Sequence, residues 1–109
     1  PDGCVVMVAD IVSDDVGWGW SPDRSRYAKS RSAFLEVRDG IRPTLRKRVR
    51  AALDAIRSVP GVDPTRLAAL GWCLGGHPIL ELGRMKVPGM QVMTTFHGVF
   101  DNIPCPEST

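Results

Sequence analysis

Three short apolar runs, spaced by two stretches with helical periodicity, constrain this chain more than any other feature. Cys4 to Ala9 (Cys-Val-Val-Met-Val-Ala) is a continuous apolar run rich in β-branched residues. It suits a strand buried on both faces of a parallel sheet. Arg66 to Trp72 and Met90 to Phe96 read the same way. Between them, Pro43 to Ser58 places Leu45, Val49, Ala52, Leu53 and Ile56 on one helical stripe. Pro43 suits the first helical turn and Pro60-Gly61 stops the helix. Gly75 to Met85 repeats the pattern with Ile79, Leu80, Leu82 and Met85, and Val87-Pro88-Gly89 breaks it. The order strand, helix, strand, helix, strand predicts an α/β fold of three parallel strands joined by two main crossover helices.

The remaining segments are connections. Asp10 to Lys29 is turn-rich and without period, an excursion loop in which Trp18, Trp20 and Tyr27 predict partial packing. Ser30 to Val37 is a candidate short helix, and Val62-Asp63-Pro64-Thr65 is a turn. The 109 residues allow one domain, and 43% apolar with 24% charged residues is a globular balance. A net charge of +2 gives no support to a nucleic-acid or membrane partner. The basic cluster Arg46, Lys47, Arg48, Arg50 and Arg57 falls mostly off the apolar stripe and has no interleaved aromatics for base stacking, so it reads as a solvated face. No apolar run approaches the roughly 18 residues of a membrane span. Cys4, Cys73 and Cys105 cannot all pair internally and lack C-x-x-C spacing, which predicts free thiols in a reducing, cytoplasmic setting. Cys4, inside an apolar run, reads as a small core residue. The start at Pro1 and the loop-like close Pro104-Cys105-Pro106-Glu107-Ser108-Thr109 read as cuts from a longer protein.

Gly71-Trp72-Cys73-Leu74-Gly75-Gly76 lies where the second strand hands over to the second helix. A nucleophile at the tip of so tight a turn adopts strained backbone, and glycines two before and two after it remove the clashes. The turn lifts the Cys73 sulfur clear of the sheet at the positive end of the following helix, where a thiolate is favoured. The Leu74 backbone N–H points to where an oxyanion forms. The competing reading is a glycine-rich turn around an inert buried cysteine. The strand before it, the doubled glycine and the α/β frame favour the nucleophile.

The stretch Val62 to Gly76 closely resembles the nucleophile region of the dienelactone hydrolase family, an α/β-hydrolase branch that uses cysteine where most relatives use serine. Val8-Ala9-Asp10-Ile11 is similar to the family's strand ending in Pro-Asp-Leu. The helix Leu45 to Ile56 is similar to the one before the elbow, and Phe96-His97-Gly98 to a strand-end Phe-His-Gly; the resemblance spans most of 3–100. It implies a hydrolase of lactones or small carboxylic esters with Cys73 as nucleophile, and no metal or organic cofactor. The partner implied is a small-molecule ester or lactone, with neither nucleic acid nor membrane.

The family's triad runs Cys, Asp, His, and nothing here matches its last two members. The second oxyanion donor and a thiol-contacting glutamate belong before Pro1. Residues 1–109 are thus expected to be one partial domain, the middle of a hydrolase, truncated at both ends. In that fold the strand preceding the elbow strand in sequence is not its neighbour in space, so a gap with unpaired edges is expected between Cys4–Ala9 and Leu67–Trp72. Arginine outnumbers lysine eleven to three. The family grips substrate carboxylates with arginines from the region holding Arg24, Arg26, Arg31 and Arg38, of which Arg31 and Arg38 are the candidates taken forward. His77 is four residues past Cys73 but on the helix the nucleophile points away from, and His97 ends a strand on the ligand side of the sheet; neither is expected to be the base. Asp101 follows the wrong strand for the acid. Ser13 to Gly19 is longer than the family's turn, and Pro78 is expected to distort the first turn after the elbow. A non-catalytic binding or regulatory module that keeps this frame is the alternative function.

Overall fold

The computed structural model describes residues 3–13 and 24–99. Helix α1 spans Ser25–Leu35 and α2 Pro43–Arg57; strand β1 spans Leu67–Trp72; a 3-10 turn covers Cys73–Gly75; α3 spans Gly76–Arg84 and β2 Met90–Phe96. The strands pair in parallel with α3 as the crossover, in the register Ala68↔Val92 to Trp72↔Phe96 with a bulge between Leu67 and Ala68.

The α2 stripe is realised: Leu45, Val49 and Leu53 are buried, Pro43 opens the helix and Gly61 turns the chain at φ +88°. With Phe34 of α1, Leu67 of β1, and Ile79 and Leu82 of α3 they form one core. An Asx turn shapes the link into β1, the Thr65 N–H donating to the Asp63 carboxylate at 2.9 Å. The Thr65 hydroxyl, donating to the same carboxylate, and then that N–H bond hold the Asp63 carboxyl below its ordinary value.

Several expectations are corrected. Two strands form among the described residues, not three, whereas the two main helices are α2 and α3 and the expected short helix is α1. The apolar run Cys4–Ala9 is no strand: residues 3–10 are exposed, Val6 and Val8 almost wholly, and Cys4 is no core residue. Apolar and β-branched content gives a run its strand preference, but a strand exists only where a neighbour offers a ladder. Nor is β1 buried on both faces. Leu67, Ala69 and Gly71 face the helices, while Ala68, Leu70 and Trp72 are exposed. The short helix starts earlier than Ser30 and takes Ser25 to Lys29 out of the excursion loop; within it the Arg24 guanidinium lies 4.4 Å above the Tyr27 ring. Trp18 and Trp20 lie outside the described residues.

The basic cluster is not one solvated face either. Lys47 and Arg50 are exposed, but Arg46 is buried, its Nε donating to Glu81 Oε2 at 2.7 Å. Glu81, itself buried, accepts on Oε1 from Arg84 at 3.1 Å, and Arg84 also donates to the Gly40 carbonyl at 2.7 Å. Arg42 reaches the Leu35 carbonyl, and Arg48 donates to the carbonyls of Ile11 and Val12, tying the 3–13 segment to α2. Asp10 closes that segment by accepting from the Ser13 N–H and hydroxyl.

Two predictions follow from these contacts. Glu81→Gln leaves Arg46 and Arg84 buried beside a neutral amide, and should lower stability by about 3 kcal/mol. Glu36→Gln, which breaks the exposed Arg38–Glu36 pair, should change it by less than about 0.5 kcal/mol. Urea unfolding of the full-length protein checks this, and equal midpoints for the two variants contradict it. For Asp10, the Ser13 hydroxyl bond leads in holding the carboxyl below its ordinary 3.8, partly offset by burial. Its anchoring is complete above that value and is lost as pH falls through the lower folded one. Exchange of the Ser13 amide should show this acid step, and Asp10→Asn should abolish it.

Candidate active site

The site begins with a backbone collision that only glycine avoids. A Cβ on Gly71 would strike the Gly75 carbonyl and stand 2.8 Å from Ile79 Cγ1. The last turn of β1 therefore lies directly on the turn that follows. Gly75 is different: a Cβ there meets nothing within 4 Å, and its φ is −64°. The expectation that both flanking glycines relieve clashes holds for Gly71 alone. Each change to alanine tests this. Gly71→Ala should destabilise the full-length protein by about 1–3 kcal/mol, as overpacking does. Gly75→Ala should be neutral or stabilise by about 0.5 kcal/mol, with thermal melting as the measurement.

Between these glycines Cys73 adopts φ +52°, a left-handed conformation uncommon outside glycine. Its thiol is free and the residue exposed. The chain then enters a 3-10 turn, where the Gly76 N–H approaches the Cys73 and Leu74 carbonyls. Leu74 packs its side chain against the core. Because α3 starts at Gly76, Pro78 falls in its first turn, where a missing N–H forfeits little. The distortion expected from Pro78 corresponds in place to this 3-10 turn.

Trp72, just before Cys73, stacks on Phe96 with ring centroids 5.1 Å apart. One step beyond that matched pair, Cys73 and His97 follow their strands, and both have φ +52°. The chain folds back after His97, and the Val99 N–H donates to the Cys73 carbonyl at 3.1 Å. The sequence alone does not reveal this bond, because it joins backbone groups.

The other candidates lie elsewhere. His77 is 2% exposed, edge-on to Phe34 in the core at 6.1 Å, whereas Cys73 faces solvent. His97 is exposed beside the elbow. Arg31 is exposed on α1, which packs on α2 and on neither strand. Arg38 is exposed and paired with Glu36 at 2.7 Å. Neither arginine belongs to the elements that build the elbow. Asp101 and Cys105 lie outside the described residues.

The model of the dienelactone hydrolase family matches residues 1–109. An uncharacterized protein of Caenorhabditis elegans is 41% identical over 59 residues, a stretch covering 54% of this chain and 37% of that protein. The chain thus spans little more than a third of that relative's length in the matched region. No solved structure matches it significantly.

Proposed function

The chain belongs to the dienelactone hydrolase family, and from this we propose that it carries the nucleophile, Cys73, of a hydrolase acting on lactones or small carboxylic esters. The observation that carries the reading is Cys73 itself, exposed at φ +52° on the turn between β1 and α3. The thiolate attacks the substrate carbonyl carbon and the C=O electron pair moves onto oxygen. The Leu74 N–H donates to that oxyanion. Collapse of the tetrahedral species expels the alkoxide, which takes up a proton, and leaves a thioester. Water then attacks the thioester, releasing the acid and restoring the thiol. No metal or organic cofactor enters these steps.

A cysteine hydrolase needs a base and an orienting acid. On this reading both follow Thr109, and the second oxyanion donor precedes Pro1, so residues 1–109 are the middle of a larger catalytic domain. Two features support that assignment: the exposed apolar run 3–10, and the uncovered sheet face of Leu70, Trp72, Val92 and Phe96. Arg31 and Arg38 remain proposed ligands for a substrate carboxylate, to be brought to the site by the complete domain. Exposed thiols at Cys4 and Cys73 suit the cytoplasm, where we place the protein. No helix among the described residues is long and apolar enough to cross a membrane.

Cys73→Ala in the full-length protein should abolish hydrolysis of a chromogenic ester and leave its circular dichroism unchanged. Turnover retained by that variant moves the nucleophile elsewhere, and a wild-type protein inert to a panel of esters and lactones points to a binding module. Residues 1–109 expressed alone should show neither turnover nor a cooperative melt.

A further inference from the structure

The hydrogen bond from Val99 to the elbow falls on a peptide group with a second function. The Cys73 carbonyl and the Leu74 N–H belong to one planar peptide unit, with the oxygen and the hydrogen on opposite sides. Whatever fixes the direction of that carbonyl fixes the direction of the N–H. We propose that Val99 is a positioning residue for the oxyanion donor: its N–H, 3.1 Å from the Cys73 carbonyl, sets the orientation of the Cys73–Leu74 peptide and so aims the Leu74 N–H. The proposal rests on Cys73 acting as nucleophile and adds to it a residue 26 positions away in the chain, outside the elbow motif.

Three observations support it. First, the Cys73 φ of +52° is a conformation that persists only where its surroundings hold it. Gly76 approaches the same carbonyl from within the turn, but that contact is local and moves with the turn. Among the described residues, Val99 alone ties it to the chain beyond β2. Second, the fold itself carries the chain to Val99. Register brings Phe96 opposite Trp72, their rings stack, and His97 then turns at φ +52° so that the chain crosses back over the elbow. Third, a carbonyl that accepts a hydrogen bond polarises its own peptide, which strengthens the N–H at the other end as a donor. The contribution is therefore made to the transition state, where the oxyanion exists, and not to substrate binding.

This gives a test that separates aiming from general support of the elbow. Val99→Pro removes the donor, and Val99→Ala keeps it. In the full-length protein, Val99→Pro should lower kcat for ester hydrolysis about tenfold or more with KM little changed. That is less than the roughly hundredfold to thousandfold lost when an oxyanion donor is removed outright, because the Leu74 N–H is still present but no longer aimed. Val99→Ala should stay within about twofold of wild type. Alkylation of Cys73 by iodoacetamide forms no oxyanion, so its rate should be nearly the same in all three proteins. If Val99→Pro does not fold, His97 supplies the second arm. His97→Val resists the left-handed φ and should lower kcat in the same way, whereas His97→Gly accepts that φ and should not. Wild-type kcat in Val99→Pro overturns the proposal. So does an equal fall in alkylation and turnover, which would mean that the whole elbow has collapsed. Turnover surviving Cys73→Ala defeats the nucleophile assignment instead, and the two failures are thereby distinct.

Discussion

Glu81, 1% exposed, has both carboxylate oxygens engaged by arginines. Arg46 comes from α2, Arg84 from its own helix, and Arg84 continues to the Gly40 carbonyl in the turn after α1. Apolar contact between α2 and α3 is not directional: Leu45, Val49 and Leu53 would bury comparable area against Ile79 and Leu82 at more than one offset. A carboxylate in the same interface tolerates far fewer, because any slide of α2 removes Arg46 and strands a charge away from water. Burying three charges is expensive even when they are paired, which argues that the cluster sets register more than it adds net stability. Register matters here because α3 starts at Gly76, directly after the turn that carries Cys73.

The elbow draws on that fixed helix. A left-handed Cys73 lies above the relaxed backbone by roughly 1–3 kcal/mol, and a free turn would relax out of it. It is held from three sides. Gly71 lets β1 lie on the Gly75 carbonyl, Leu74 is anchored in the core, and Val99 binds the Cys73 carbonyl from the end of β2. The strain is supported by strand, helix and returning loop together, while the Cys73 thiol stays exposed.

Much of this was legible in the residues, and what was not has identifiable physical causes. The α2 stripe, β2 from Met90 to Phe96 and the Gly-x-Cys-x-Gly-Gly turn all declare themselves through local pattern, and local pattern decides them. The run Cys4–Ala9 reads as strand on the same grounds, yet strand formation is settled by a neighbour that the run does not contain. Arg46 reads as exposed because a charged side chain beside other charged side chains suggests solvent. Its position three before Val49 and one after Leu45 was the available sign of its inward direction, and Glu81 between Leu80 and Leu82 was the matching one. Gly75 was misread because a symmetrical motif suggests symmetrical reasons. The first glycine is sterically required and the second is not, a difference set by how the folded backbone brings Gly71 onto Gly75.

The unpaired run and the half-covered sheet are two aspects of one geometry. In a parallel sheet with crossover helices, each strand needs ladder partners at its edges and packing on both faces. The helix-facing side of β1 and β2 takes its packing from α3, with Met93 against Gly83 though still partly exposed, and the opposite side carries Leu70, Trp72, Val92 and Phe96 open. There Trp72 and Phe96 stack on each other, which shields part of each ring but leaves both about half exposed. The 3–10 segment is held at its far end by Asp10, Ser13 and the Arg48 bonds to Ile11 and Val12, so it is fixed to α2 without being fixed to the sheet. A segment anchored at one end, exposed, and carrying Val5, Val6 and Val8 suits a strand whose lane is set by the sheet and not by itself. If further chain supplies the intervening strand and the second layer, as proposed above, the apolar run and the open face are satisfied together.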